Sequence, residues 1–293
     1  MTSKSSPYGT IQLLRILRRQ PLLFAGFVGV ATVSLLAILA PLVAPYPEDA
    51  GSATHVDSRL LPPSADHLFG TDQLGRDILS RVLFGARISL SVSVAAIALA
   101  LAIGVPLGVI AGYTGGVTDE SIMRGTELIM SFPELLRAMA VMALLGPSLL
   151  NAVLALAVGW WTWHARLVRS QALSIRETAY VEAARAMGAS WFRVVFRHVL
   201  PQCLVPATVQ VSMDLGGIIL TFATLSFLGI GAQPPTPEWG LMVSSGRTYF
   251  LTQWWITLFP GLAIFLTVLS FNLLGDGLRE IMDPRMRGHQ RRG

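Results

Sequence analysis

Three ionisable side chains stand inside long apolar runs of this sequence. Glu134 and Arg137 are three residues apart in SFPELLRAMA, so they share one face of a helix. Asp214 lies in VQVSMDLGGI, one helical turn after Gln210. A charge at mid-bilayer costs about 2.5–3.5 kcal/mol on insertion scales, and acidic residues at such depths usually serve a function. No His/Asp/Glu cluster accompanies them, so the chemistry they indicate is the guidance of polar cargo and not catalysis.

The elements that must position these side chains are membrane helices. Hydrophobic residues make up 53% of the 293 residues and charged residues only 13%, with a mean hydropathy of +0.58. A soluble domain carries about 25% charged residues. We therefore predict an all-α membrane protein with six transmembrane helices. The predicted spans are residues 22–44, 88–112, 127–145, 149–163, 199–230 and 254–275.

The basic residues predict the orientation of these spans. With the N-terminus inside, 16 of the 22 Lys and Arg side chains fall on the cytoplasmic side, so both termini are expected there. The predicted segments are a cytoplasmic tail (1–21), the first helix (22–44), an extracytoplasmic strap with an interfacial helix (45–86), a five-helix core (87–280) with a cytoplasmic loop at 168–200, and a C-terminal cytoplasmic tail (281–293).

Several chemistries are excluded by residue usage. Lys4 is the one lysine and has no glycine-rich loop around it, so a P-loop for ATP is absent and any ATP or Mg²⁺ must bind to another subunit. Cys203 is the one cysteine, and the five histidines are scattered without ligand spacing, so we predict no metal site. Arginines that flank membrane spans account for the pI near 10.0. Lipid is therefore expected as a partner, and nucleic acid is not.

A basic stretch, YVEAARAMGASWFRVVFRHVLPQ, lies between the fourth and fifth predicted spans on the cytoplasmic side. Its alanines and Glu182 favour a helix that Gly188 breaks, and a second short helix would follow and end at Pro201. On spacing alone the stretch is compatible with two roles that involve no partner protein. It would suit an amphipathic helix on anionic lipid, or a solvated loop.

The stretch resembles the signature loop of permease subunits in bacterial ABC importers. Glu182, Ala183 and Ala184 are followed at the family's spacing by Gly188 and by Leu200-Pro201, although His198 stands where an aliphatic residue is usual. Three further blocks, FGTDQLGRDILSRVLFGARISL, FLGIGAQPPTPEWG and FPGLAIFLTVLSFNLLGDGLRE, resemble the C-type permease of the dipeptide/oligopeptide/nickel importer family. The likeness covers roughly residues 65–285.

This resemblance implies a type I ABC importer permease fold, like that of the methionine importer. It also implies a non-catalytic subunit of the bacterial cytoplasmic membrane. The implied partners are a second homologous permease, two ABC ATPase subunits that hold ATP and Mg²⁺, and an extracytoplasmic substrate-binding protein. Coupling to the ATPases would use Glu182, Ala183, Ala184, Gly188 and Pro201. In that role the two alanines would keep the helix thin enough for a groove, and Glu182 would cap it or pair with a partner's arginine.

The expected cargo is short peptides. Nickel chelates or glutathione-like compounds are alternatives for the same class of permease. An ion-coupled secondary transporter is an alternative from another class, and it would need several intramembrane acids and inverted repeats. Only Asp214 and Glu134 meet the first requirement, and no repeat is visible.

The candidate path residues keep two roles each. Glu134 and Arg137 either line a pore or form a structural ion pair with each other near the inner interface. Asp214 either attracts the amino terminus of a passing peptide or hydrogen-bonds a neighbouring helix at the Gly216-Gly217 contact. Tryptophans in WWTW are expected to form an interfacial belt and not a ligand cage.

The outer loops carry the candidate contacts to a substrate-binding protein. These are Asp72, Arg76 and Asp77 in GTDQLGRD, and Glu238 and Trp239 in PPTPEWG. The alternative is that both loops are rigid and pack on the helices of their own chain.

Overall fold

The computed structural model describes residues 20–282, and this part of the chain is helical, with one isolated bridge between Thr71 and Asp77 and no strand. Lys4 and nearly all of both predicted tails lie outside the described residues. The helices are α1 Pro21–Val43, α2 Ile78–Thr114, α3 Gly116–Met130, α4 Glu134–Leu145, α5 Leu149–Arg176, α6 Ala179–Ala186, α7 Trp191–Val194, α8 Leu200–Phe227, α9 Trp239–Gly246 and α10 Trp255–Met282.

The number of membrane spans follows from length and hydropathy. Four helical stretches are long and apolar enough to cross a membrane, namely α1, α2, the stretch Trp191–Phe227 and α10. The pair α3 and α4 gives a fifth if it is counted as one broken span. The predicted fourth span lies in α5, which at 28 residues is long enough but more polar. It packs extensively against α2 inside the bundle.

Helix α2 begins earlier than the sequence indicated. Asp77 caps it by accepting a hydrogen bond from the Ser80 amide at 2.8 Å, and the helix then continues for 37 residues. The helix predicted at residues 78–83 is present, and it leads without a break into the second span, because nothing after this cap ends the helix until Gly115. Two short 3-10 turns, Pro47–Ala50 and Val56–Ser58, lie in the strap between α1 and α2.

The third predicted span, residues 127–145, is broken. Helices α3 and α4 meet at an angle of 88° across Ser131, Phe132 and Pro133. Proline lacks an amide donor and disfavours helical geometry in the residue before it, so the chain turns here. The turn leaves the last carbonyl groups of α3 and the first amide groups of α4 without helical partners.

Glycines let α2 and α5 approach each other closely. Gly104, Gly108 and Gly112 recur at every fourth position of α2 and face the α5 backbone. A Cβ on Gly108 would lie 2.5 Å from the Ala165 carbonyl oxygen, and one on Gly112 would lie 2.5 Å from that of Arg169. Small residues at this spacing are how membrane helices gain contact, since lipid provides no hydrophobic drive for association.

We predict that Gly108→Leu separates α2 from α5. The added side chain would meet backbone atoms that cannot give way, and overpacking of this kind costs about 1–3 kcal/mol or more. The melting temperature of the detergent-purified protein should fall. Gly261→Leu in α10 is the matched control, because a Cβ there meets nothing within 4 Å. Equal melting temperatures for the two variants would contradict this account of the packing.

Candidate functional site

A cavity of about 330 Å³ lies between α3, α4, α5 and α8. All four path residues predicted from the sequence line it. The complete lining is Met130, Glu134, Arg137, Gly159, Trp160, Thr162, Trp163, Gln210 and Asp214. At 1.5 Å per residue, Trp160 lies about 16 Å along α5 and Asp214 about 21 Å along α8, so the cavity sits midway along both helices. We call it the intramembrane cavity.

Glu134 and Arg137 line the intramembrane cavity without pairing with each other. The carboxylate of Glu134 accepts a hydrogen bond from the Thr221 hydroxyl at 2.9 Å. The guanidinium of Arg137 reaches back across the break and donates to the Ile129 carbonyl at 2.9 Å. The proposed structural ion pair is therefore wrong. The break explains this, because it leaves the Ile129 carbonyl at the end of α3 in need of a donor.

Asp214 is 5% exposed and is held from two sides. Gln210 donates to its Oδ1 at 2.8 Å, as the one-turn spacing indicated. Its Oδ2 lies 3.3 Å from Nε2 of His164 on α5, outside hydrogen-bonding geometry. The neighbouring glycines make the helix contacts: Gly216 packs on Asn272 of α10, and Gly217 packs on Trp160.

Two tryptophans in the cavity lining and one histidine next to it carried no site role in the sequence analysis. Trp160 and Trp163 line the intramembrane cavity, and their place in an interfacial belt stays a prediction. His164 is fully buried beside Asp214 and did not appear among the candidates. A usable signal was present, because His164 follows Trp160 by four residues and therefore shares its face of α5.

The cytoplasmic stretch forms two helices joined by an elbow at Gly188, as predicted. Gly188 has φ +80°, a conformation that side chains with a Cβ rarely adopt, and a Cβ there would meet nothing within 4 Å. The prediction that Pro201 ends the second helix was wrong. Helix α7 continues through a π-helical turn, Val195–Val199, into α8, and Pro201 sits in the first turn of α8, where its missing amide is tolerated.

One face of α6 packs on the protein itself and the other is open. Val181 and Ala184 are buried in a cluster with Val194, Val195 and Val199 that also includes residues of α2 and α5. On the open face lie Glu182, Ala183, Met187 and Gly188. Ala184 therefore serves internal packing, and only Ala183 of the two alanines is presented outward.

Two arginines tie this region to the end of α2. Arg185 donates from Nε to the Tyr113 hydroxyl at 3.1 Å, and its guanidinium lies 4.8 Å from the centre of the tyrosine ring. Arg176, at the end of α5, donates to the Gly112 carbonyl at 3.1 Å. The elbow therefore moves with α2 and α5 unless these contacts break.

Glu182 does not cap α6. The N-cap residue is Thr178, and no side chain makes the capping hydrogen bond. Within residues 20–282 the Glu182 carboxylate has neither a hydrogen bond nor an ion pair, and it is exposed. Of the two roles given to it, pairing with a cation of another subunit is the one that stays a prediction.

The outer side holds a buried network of charges. Asp72 accepts hydrogen bonds from the Leu74 and Arg76 amides at 2.8 and 3.0 Å and from Nε of Arg76 at 2.8 Å. The Asp77 amide donates to Asp49 at 2.7 Å, and Arg81 donates to the Asp49 carbonyl at 2.8 Å. These contacts join the strap to the start of α2.

Glu238 and Trp239 secure the second outer loop to α2. Glu238 is fully buried and caps α9, accepting from the Gly240 and Leu241 amides at 3.0 and 2.8 Å. Burial raises the pKa of this carboxyl above its ordinary value. Trp239 donates from Nε1 to the Val82 carbonyl of α2 at 2.9 Å.

All five outer candidates are therefore buried, with exposures of 0–6%: Asp72, Arg76, Asp77, Glu238 and Trp239. Of the two roles left open by the sequence, burial favours rigid packing on the protein's own helices.

Comparison with known proteins fits this architecture. The family model described as binding-protein-dependent transport system inner membrane component matches residues 104–288. The model for the N-terminal TM domain of oligopeptide transport permease C matches residues 11–63. The chain belongs to this family of inner membrane components, and it is a non-catalytic permease subunit of an ABC transport system. Such a permease works with ATPase subunits and a substrate-binding protein. Membership in the family overturns the alternative of an ion-coupled secondary transporter.

The relatives are permeases of peptide transport systems. The chain is 44% identical to the probable D,D-dipeptide transport system permease protein DdpC of Escherichia coli K12, over 98% of this chain and 95% of that protein. It is 44% identical to the dipeptide permease DppC of Alkalihalophilus pseudofirmus over 92% and 88%, and 42% identical to the glutathione permease GsiD of Pectobacterium atrosepticum over 93% and 90%.

A solved structure confirms the predicted fold. The inward-facing MetNI methionine ABC transporter matches with a TM-score of 0.57 and 20% identity, over 70% of this chain and 98% of the matched chain. The helical arrangement is therefore that of the methionine-importer permeases. The orientation of the termini stays a prediction.

We predict that Asp72→Ala destabilises the protein itself. The change leaves Arg76 and Arg81 buried beside a missing partner, and breaking a buried pair costs roughly 3–5 kcal/mol. The yield of folded protein and its melting temperature should fall. Asp57→Ala, on an exposed turn of the strap, should leave both unchanged. If Asp72→Ala folded normally but lost only the docking of the binding protein, the direct-contact role would be correct instead.

Proposed function

We propose that this chain is one of two homologous permease subunits of an ATP-driven importer of short peptides. The observation that carries the proposal is 44% sequence identity, over 98% and 92% of this chain, to permeases named for D,D-dipeptide and dipeptide transport. Glutathione is itself a small peptide, so the 42% identity to a glutathione permease keeps glutathione-like cargo as a second candidate. In the complex, two ABC ATPases bind ATP and Mg²⁺, and a binding protein delivers the cargo.

In this proposal α6 and the Gly188 elbow engage an ATPase subunit. The open face of α6 supports this, because Glu182 offers an unpaired carboxylate and the small side chain of Ala183 lets a partner surface approach the helix closely. The buried face supports it too, since Val181 and Ala184 fix the helix to α2 and α5. A push on α6 would then reach the membrane helices without being absorbed in a loop.

A second permease completes the passage in this proposal. Glu134 and Trp163 line the intramembrane cavity yet are exposed, so this side of the cavity is open in the single chain. A homologous subunit packed there would close it and supply the other half of the path. The four residues Glu134, Arg137, Gln210 and Asp214 would then face the passage.

We predict that Gly188→Val uncouples the complex. Valine at φ +80° is strained by more than the roughly 1–2 kcal/mol that an ordinary residue pays in the left-handed region, so the elbow changes shape. Uptake and cargo-stimulated ATP hydrolysis should be lost while membrane insertion is normal.

Gly146→Val is the matched control. Gly146 has φ +85°, and a Cβ there also meets nothing within 4 Å, but it joins α4 to α5 away from the elbow. It should keep coupled hydrolysis. If the Gly188→Val complex still hydrolysed ATP in step with transport, the coupling role of the elbow would be wrong.

Reconstituted uptake tests the cargo. Proteoliposomes that contain both permeases and both ATPases are loaded with ATP and supplied with the cognate binding protein. Dipeptides to pentapeptides, glutathione and nickel chelates are then compared. We expect ATP-dependent accumulation of short peptides. Accumulation by this polypeptide alone, or of nickel chelates but no peptide, would contradict the proposal.

A further inference from the structure

We propose that the intramembrane cavity binds a small peptide by its two charged ends, the carboxylate at Arg137 and Trp160 and the ammonium group at Asp214 and Glu134. This inference rests on the proposed function, because it concerns the cargo of a peptide importer. It adds a binding site within this subunit, with an assigned role for each wall.

Two hydrogen-bond donors of residues that line the cavity have no acceptor among residues 20–282. They are Nε of Arg137 and Nε1 of Trp160, both buried. The guanidinium of Arg137 lies against Gly159, the residue before Trp160: its nearest nitrogen is 3.3 Å from where a Cβ on Gly159 would stand. An unsatisfied buried donor costs about 1–3 kcal/mol. A carboxylate that accepts from both donors would remove this cost and neutralise the guanidinium charge.

Acceptors face the cavity from α8 and α4. Gln210 holds Oδ1 of Asp214 at 2.8 Å, and Oδ2 has no hydrogen-bond donor within residues 20–282. Thr221 holds Oε1 of Glu134 in the same way. Two carboxylates and one guanidinium therefore line the space, and an ammonium group is the ligand that such an excess of acceptors favours. His164 lies beside Asp214 on the α5 side, with Nε2 at 3.3 Å from Oδ2.

The volume limits what can bind. Ligand cavities usually range over about 300–1,000 Å³, so a cavity of about 330 Å³ suits one or two residues and not a long extended chain. The remaining lining includes Met130, Trp160 and Trp163, which are surfaces that accept varied apolar side chains. Specificity for free chain ends, with tolerance for side chains, is the selectivity that this lining would produce.

The test measures binding to the whole complex of both permeases and both ATPases in nanodiscs, without the binding protein. The probe is a radiolabelled dipeptide with free ends. The competitors are the unlabelled dipeptide, its N-acetyl form and its C-terminal amide. For the wild type we expect saturable binding at millimolar concentration, with each blocked form weaker by about tenfold or more, as for the loss of a charged hydrogen bond.

The variants assign each end to its wall. In the Arg137→Gln complex the C-terminal amide should compete as well as the free dipeptide, whereas the N-acetyl form should still compete more weakly. Asp214→Asn should do the reverse. Arg247→Gln, an exposed arginine outside the cavity, should behave as wild type. Arg137→Lys and Asp214→Glu preserve the charge and should preserve the discrimination, and they serve as the measurement if a neutral variant does not assemble.

Several results would overturn the site. The first is the absence of saturable binding by the wild-type complex. The second is that all three competitors bind equally more weakly in each variant. The third is that the relative affinities of the three competitors in both neutral variants equal those of the wild type. The last two would mean that these polar groups serve helix packing or the second permease. The proposed function is judged separately by ATP-dependent uptake. A wild-type complex that imports peptides while the cavity variants keep their profile refutes the site alone, and one that imports no peptide refutes the proposed function.

Discussion

The close approach of α2 and α5 is the contact on which the other features depend. Gly104, Gly108 and Gly112 remove the side chains that would hold the two backbones apart, so the helices touch along most of their length. Helix α2 starts in the outer charge network at Asp77 and ends beside the elbow at Tyr113. A single helix pair thus connects the loops predicted to lie outside, the intramembrane cavity and the end of the bundle predicted to face the cytoplasm.

The break before α4 gives the cavity its chemistry. An unbroken third span would have satisfied its own carbonyl groups and would have carried Glu134 and Arg137 side by side as a pair. With the chain turned by 88°, Arg137 is drawn to the Ile129 carbonyl and Glu134 to Thr221. Both side chains are then fixed by partners other than each other, which leaves part of each polar group available to the cavity.

Sequence reasoning located helices and the elbow better than it located side-chain partners. The apolar runs identified α1, α2, α8 and α10, because length and hydropathy act locally. The elbow was predictable because Gly188 sits in a spaced motif. The 88° turn also had a local signal in Pro133, which the hydropathy of the surrounding run outweighed.

The partners could not be predicted because they depend on which helices meet. Nothing near Asp214 in the sequence points to His164, fifty residues earlier on α5. The outer loops illustrate the same limit. Their sequence left docking and rigid packing equally open, and the outcome depends on contacts distant in the chain: Asp77 donates its amide to Asp49 of the strap, and Glu238 accepts from Ser89 of α2.

The arrangement of α5 links the proposed coupling to the proposed cargo site. Its first half supplies Gly159 and Trp160 to the cavity, and its second half supplies Val168 and Ala172 to the cluster under α6. Arg169 on the same helix binds both carboxylate oxygens of Asp119 on α3. In the proposed mechanism, a displacement of α6 would act on the α5 wall of the cavity directly and on the α3 wall through this ion pair. Because α5 is a continuous helix of 28 residues, it has no loop in which such a displacement would be absorbed between the elbow and the bound peptide.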